Sequence, residues 1–324
     1  MMNASDDNAR SELGALGWLF FIMTLLQVLA SLGFGLVDEK GITIPIEVTL
    51  VASEFTILIP AVIYIIAKNI DLKSELGFRR IKAGTVLMCL LLAALIEPVA
   101  SFVNVLSQLF VSNTMAQMSD ELLGGSGITV LFLASIYGPV CEEIVFRSLF
   151  NNRYEKYTGP LAAGLISAMF FGLAHLNINQ ATYAFVLGVI FSVINKAAGS
   201  VLPSMIIHIC INAFNMIMMF AMTDATGELA GGMDLEQAAE MARTGDMMYI
   251  LIAVTLIMSV ISIAIAIPCV VWIAKHEGNI EALHDMFAVK HKKYNWLRVS
   301  TVIGICFALF VMFGLKSVLE MLNG

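Results

Sequence analysis

Apolar residues run along this chain in long blocks separated by short polar interruptions. Runs of 18 or more residues with few charges read as membrane-crossing helices. They fall at about 14–37, 43–67, 84–111, 128–153, 159–176, 179–197, 200–222, 247–274 and 297–320. The pattern predicts an all-α, polytopic integral membrane helical bundle of about eight to nine transmembrane helices. The lower count applies if a short connection near 177 or 198 hides a re-entrant segment. The first apolar run is too long for the core of a signal peptide, so it is expected to stay as a span.

Composition agrees with the pattern. Of 324 residues, 59% are hydrophobic and 13% charged, against roughly 25% charged in a soluble domain. Nine spans of roughly 20 residues need about 180 apolar residues, close to what the chain holds. A water-soluble enzyme, a disordered scaffold and a nucleic-acid binder are excluded on this ground.

The net charge of −7 adds little, because orientation follows the placement of Lys and Arg rather than the net sum. With nine spans, Arg10, Lys68, Lys73, Arg79, Arg80, Lys82, Arg153, Lys156, Lys196, Lys275, Lys290, Lys292, Lys293 and Arg298 share one side, which is 14 of 18 basic residues. Lys40, Arg243 and Lys316 share the other, and Arg147 lies within a span. The expectation is a multi-pass protein, placed in the plasma membrane, with a cytoplasmic N-terminus and an external C-terminus.

Two longer extramembrane pieces stand out. Residues 223–246 read as an acidic outer loop with room for a short helix, and 275–296 as a basic inner loop. Asp71 to Ala83 reads as an interfacial amphipathic turn whose basic residues face headgroups. Cys89, Cys141, Cys210, Cys269 and Cys306 all lie in apolar runs and read as buried free thiols.

The informative residues are the polar ones inside apolar runs. A charge at mid-bilayer costs about 2.5–3.5 kcal/mol on insertion scales, so an ionisable group there is a candidate functional residue. The fourth span carries Glu142, Glu143 and Arg147, the fifth ends in His175, and the seventh carries His208 and Asn212. Glu143 and Arg147 are four apart, share a helix face and can form a structural ion pair. Glu142 is turned about 100° away from that face and has no local partner, which suits a general base. His208 and Asn212 again share a face.

Depth is consistent with a meeting point. Measured from a turn near Tyr157 to Gly159, Glu142 and His175 each lie roughly 22–25 Å along antiparallel helices at about 1.5 Å per residue.

The ordered set Glu142-Glu143-x-x-x-Arg147, Phe171-x-x-x-His175 and His208-x-x-x-Asn212 resembles the CAAX protease and bacteriocin-processing (CPBP, or Abi) family of intramembrane endopeptidases. The resemblance covers about residues 128–222. It divides the chain into an N-terminal transmembrane region at 1–127, a catalytic core at 128–222, and an acidic loop with a C-terminal transmembrane region at 223–324. It implies hydrolysis of a peptide bond in a membrane-embedded or lipid-anchored peptide or protein. Glu142 and His175 would activate water, and His208 and Asn212 would stabilise the oxyanion.

Family members are known both as glutamate-dependent proteases and as metalloproteases. A divalent metal such as zinc, held by Glu142, His175 and His208, is therefore the alternative, although the His-Glu-x-x-His spacing is absent.

Other readings compete. A non-proteolytic scaffold or a bacteriocin self-immunity protein could keep the same fold and polar cluster. Gly124-Gly125-Ser126-Gly127 matches the Gly-x-Ser-Gly pattern of rhomboid-type serine proteases but leaves Glu142 and Arg147 unexplained. A proton-coupled transporter would also put Glu, His and Asn at midplane, yet no paired broken helices in matching halves support it. Glu54, Glu97, Asn104, Asn179 and Gln180 are further polar residues in or beside apolar runs.

Overall fold

Each apolar block becomes a helix, because in lipid a helix satisfies its own backbone polar groups. The computed structural model describes residues 4–71, 75–229, 245–288 and 294–314. In chain order its helices are α1 (Ala4–Asp38), α2 (Ile46–Ala67), α3 (Ala83–Ser107), α4 (Thr114–Gln117), α5 (Ser119–Gly124) and α6 (Gly127–Thr158). They continue with α7 (Pro160–Ala174), α8 (Ile178–Ala198), α9 (Leu202–Leu229), α10 (Met247–Glu277), α11 (Ile280–Phe287) and α12 (Val299–Phe313).

Seven of these, α1, α2, α3, α6, α8, α9 and α10, are long and apolar enough to cross a membrane, and α7 and α12 are shorter apolar helices. The chain is an integral, multi-pass, all-α membrane protein. Of the acidic loop expected at 223–246, residues 223–229 instead continue α9, and 230–244 lie outside those described. The basic inner loop carries α11, and its residues 289–293 are not described.

Where the helices begin and end reflects chemistry that hydropathy does not register. α1 starts ten residues before its apolar block. Glu12 can join it because Arg153 and Tyr64 hydrogen-bond its carboxylate, Tyr64 at 2.7 Å, and Lys68 lies 3.5 Å away. Arg153 also binds Glu75 at 2.7 Å, Lys156 binds Glu75, and Lys196 binds Glu155 at 2.5 Å. The bundle thus has one charged end, built from residues the sequence assigns to a single side. Of the five cysteines, Cys89 and Cys141 are buried, whereas Cys306 faces outward.

Two large hydrophobic groups, with a small third one around Leu122, Val130 and Met216, make up the interior. One joins α1, α2, α6 and α7 around Phe20, Phe146, Phe150, Phe170 and Phe171. The other joins α3, α8, α9, α10 and α11 around Leu92, Phe191, Ile207 and Ile273. The α7–α8 hairpin stitches them together at very short range. A Cβ on Gly172 would lie 2.7 Å from the Ala181 carbonyl oxygen, and one on Gly188 would lie 2.8 Å from Ala168 Cβ. Small residues here let the backbones approach, as in other membrane helix pairs.

Gly159, at φ +87°, makes the turn from α6 into α7, and Pro160 occupies the first position of α7, where its missing N–H costs nothing. With 15 residues, α7 is about 22 Å long and stops inside a hydrocarbon core of about 30 Å. Its end is met by the α3–α6 connection. Thr114 Oγ1 donates to Asn177 Oδ1 at 2.7 Å, and Asn179 Nδ2 donates to Asn104 Oδ1 and Ser107 Oγ, each at 2.7 Å. Asn104 and Asn179 are therefore engaged in packing.

Candidate active site

The sequence leads one to expect a regular fourth helix. Instead, two π-helical stretches, Leu133–Tyr137 and Glu143–Asn151, flank the short α-helical piece Gly138–Glu142. Insertions of this kind re-aim side chains and recur at functional sites. The pairing expected from four-residue spacing survives, with Arg147 Nε 3.6 Å from Glu143 Oε2 and both side chains at most 1% exposed.

α7 delivers His175 at its C-cap. Its Nδ1 lies 2.8 Å from the Phe171 carbonyl oxygen, which can only accept, so Nδ1 carries the proton and Nε2 presents a lone pair. The next residue, Leu176, sits in the left-handed region at φ +50°, an uncommon conformation for a branched side chain. That backbone ends α7 immediately behind the histidine, and the Asn177 side chain caps α8 by accepting from the Gln180 N–H at 3.0 Å.

α9 delivers His208, which is buried. Its Nδ1 lies 3.1 Å from Glu143 Oε1. Glu143 also accepts from Ser204 Oγ at 2.5 Å, and Ser204 in turn accepts from Asn195 Nδ2 at 2.7 Å. A fully enclosed carboxylate is thereby bonded from α9 and paired from its own helix. Phe171 is the common wall. Arg147 stacks over its face at 4.2 Å, and both His175 and His208 meet it edge-on.

Glu142 occupies the gap among these groups. Its Oε1 is 3.7 Å from His175 Nε2, and its Oε2 is 3.6 Å from His208 Nε2. The Glu142 side chain is 17% exposed where that of Glu143 is fully enclosed, so the two adjacent carboxylates have different access. Both gaps are too long for direct hydrogen bonds, and the three acceptor groups face one point that a single donor can touch from the side.

Asn212 stands apart from the three, its Nδ2 donating to the Ala134 carbonyl at 3.2 Å in the first π-helical stretch. Glu54 approaches from α2, its Oε1 3.4 Å from where a Cβ on Gly138 would be. Ser126 is exposed at the start of α6, where its Oγ accepts from Thr129 at 3.2 Å; no histidine is among its hydrogen-bond partners within the described residues.

Sequence reading passed over Ser204 and Asn195. Ser204 is four residues before His208, on the face already picked out by His208 and Asn212, so the helical period marked it. Asn195 had no such signal, because it arrives from another helix. Among the described residues, no group of three or more His, Cys, Asp and Glu side chains is spaced to hold a metal ion.

Residues 124–214 match the model of the family described as type II CAAX prenyl endopeptidase Rce1-like. Over 90 residues the chain is 32% identical to "Putative membrane peptidase YdiL" of Bacillus subtilis (strain 168), covering 28% of this chain and 36% of that protein. The matched segment thus spans about a third of its curated relative. No solved structure matches. Residues 124–214 are therefore similar to the Rce1-like family, and the chain around them is a multi-pass membrane protein.

Proposed function

We propose that the protein is an intramembrane endopeptidase that hydrolyses a peptide bond of a membrane-embedded or lipid-anchored peptide or protein. One observation carries this reading: the Glu142 carboxylate faces two imidazole Nε2 atoms at 3.6 and 3.7 Å. Lone pairs and carboxylate oxygens only accept, so a group that touches them together must donate, and a water lying beside these atoms meets that need.

In the proposed reaction Glu142 takes a proton from that water, helped in orientation by His175. The hydroxide oxygen then bonds to the scissile carbonyl carbon. Glu142 relays that proton to His208 Nε2. With Nδ1–H still on Glu143, His208 offers Nε2–H to the oxyanion while Asn212 has a second amide N–H to contribute, and the proton then returns to Glu142. Glu142 passes its proton to the amide nitrogen, the C–N bond breaks, and a carboxylic acid and an amine leave. Base and oxyanion donor are both worth more where bulk water is excluded. Glu143, Arg147 and Ser204 hold His208.

The N-terminus and the charged end of the bundle are assigned to the cytoplasm, in the plasma membrane, on the distribution of Lys and Arg.

The test is cleavage of a membrane-presented peptide library by purified protein in liposomes. The expected result is cleavage by the wild type and by Ser126→Ala, persisting after chelation, and lost in His175→Ala and His208→Ala that remain folded. Full activity in both histidine variants would instead favour a scaffold. Loss in Ser126→Ala would favour a serine protease. Loss on chelation with recovery by zinc would favour the metalloprotease alternative, and proton-coupled solute uptake in the same liposomes a transporter.

A further inference from the structure

A cavity of about 530 Å³ opens at the charged end of the bundle, with Arg147 in its lining but not Glu142, His175 or His208. Arg147 reaches it from the inside, and Arg79, Lys156 and Lys196 line it nearer the surface, with Glu75 and Glu155 as its carboxylates. Arg147 is 1% exposed, yet its Nη1, Nη2 and Nε have no hydrogen-bond partner among the described residues. Phe171 and Phe191 cover its faces, so the edge of the guanidinium remains for bonding.

A buried guanidinium with free N–H groups needs acceptors, and its planar fork matches two oxygens of one phosphate. The lysines are held in place by Glu75 and Glu155, and each ammonium keeps further N–H groups to donate. At roughly 30 Å³ per water, the space is far larger than a hydration site for one side chain. Asn151 Oδ1, an unpartnered acceptor on the same wall, suits the hydroxyl of a monoprotonated phosphate. Basic pockets between membrane helices at one face are also where anionic headgroups lodge.

We propose that this cavity is a binding site for a phosphate-bearing anion, gripped by Arg147 from within and by Arg79, Lys156 and Lys196 nearer the surface. A bilayer phospholipid headgroup and free phosphate share this chemistry. The site stands on the cavity and its donors and does not rest on the proteolytic reading. Arg147 links it to the candidate active site, because an anion bound there shares the guanidinium with Glu143.

The experiment uses the full chain in a neutral detergent and measures the unfolding midpoint against three probes: inorganic phosphate, dioctanoyl phosphatidylglycerol and dioctanoylglycerol. The expected result is a saturable rise with one or both phosphate-bearing probes and none with dioctanoylglycerol. A response to both probes assigns recognition to the phosphate itself. A response to the lipid alone assigns it to a headgroup in the bilayer, and to phosphate alone, a soluble ligand.

Arg79→Gln combined with Lys196→Gln should weaken binding at least tenfold. Arg79→Gln alone changes an exposed side chain and should weaken it by a smaller factor if the double variant fails to fold. Arg80→Gln, exposed nearby but outside the cavity, should leave binding unchanged. Absence of saturable binding to either phosphate-bearing probe overturns the proposal, as does equal loss in Arg80→Gln.

Discussion

Replacing Glu143 by Gln keeps its size and most of its hydrogen bonds while removing the counter-charge of Arg147. At 3.6 Å and an effective dielectric of about 20, the lost attraction is about 4–5 kcal/mol. Breaking a buried pair from one side typically costs about 3–5 kcal/mol, and Glu143→Gln should fall in that range. Arg147→Met should cost less. It leaves the carboxylate still bonded by Ser204 at 2.5 Å and His208 at 3.1 Å, so about 2–3 kcal/mol is expected, as for a charged acceptor that loses one of several partners.

The double variant removes both charges and should be at least about 2 kcal/mol more stable than the sum of the single costs predicts, since the two sites share one interaction. The assay is unfolding by SDS in mixed micelles, followed by circular dichroism. Additivity within about 0.5 kcal/mol, or a larger cost for Arg147→Met than for Glu143→Gln, would refute the claim that this pair holds His208 in place.

Three further outcomes follow from the structure. Gly172→Val places side-chain atoms where even a Cβ would be 2.7 Å from the Ala181 carbonyl; it should cost about 1–3 kcal/mol through overpacking and lower kcat by displacing His175, both read on the same preparation. Ser204→Ala should lower stability by about 1–3 kcal/mol, because a buried charged acceptor loses a donor, and unchanged stability would show that Ser204 does not support Glu143.

Glu75, outside the spans, has its pKa held below the ordinary carboxylate value chiefly by its hydrogen bond from Lys156. Its stabilising contribution is therefore present above the unfolded-state pKa of about 4.3 and disappears as pH falls through the lower folded-state value. The melting-temperature difference between wild type and Glu75→Gln should be present at pH 7 and close as pH drops below about 4; a difference that persists in acid would contradict this.

Among the described residues the apolar blocks were legible as helices, seven of them long enough to cross and two shorter, because lipid allows few ways to bury a backbone. The meeting of Glu142 and His175 was legible as a possibility of depth, since residue counts from the Tyr157–Gly159 turn give both levels. The level of His208 depends on where α9 begins, and hydropathy leaves that open. What hydropathy could not give was the π-helical winding on either side of Glu142, which depends on backbone hydrogen bonding rather than side-chain polarity. The early start of α1 also escaped it, because Glu12 is accepted into the bundle only through Arg153, a residue far along the chain. Asn195 belongs to the same class, as its partner Ser204 comes from another helix. The cavity that Arg147 lines arises where five segments meet and has no linear signature.

The most direct test of the central claim is the single-turnover rate of peptide cleavage by Glu142→Gln against wild type, in the same liposomes, with folding checked by melting temperature. Glutamine preserves shape and cannot take a proton from water. Loss of a general base predicts a fall of about 10²–10⁴-fold with the fold intact. A Glu142→Gln protein that cleaves at the wild-type rate would contradict the account.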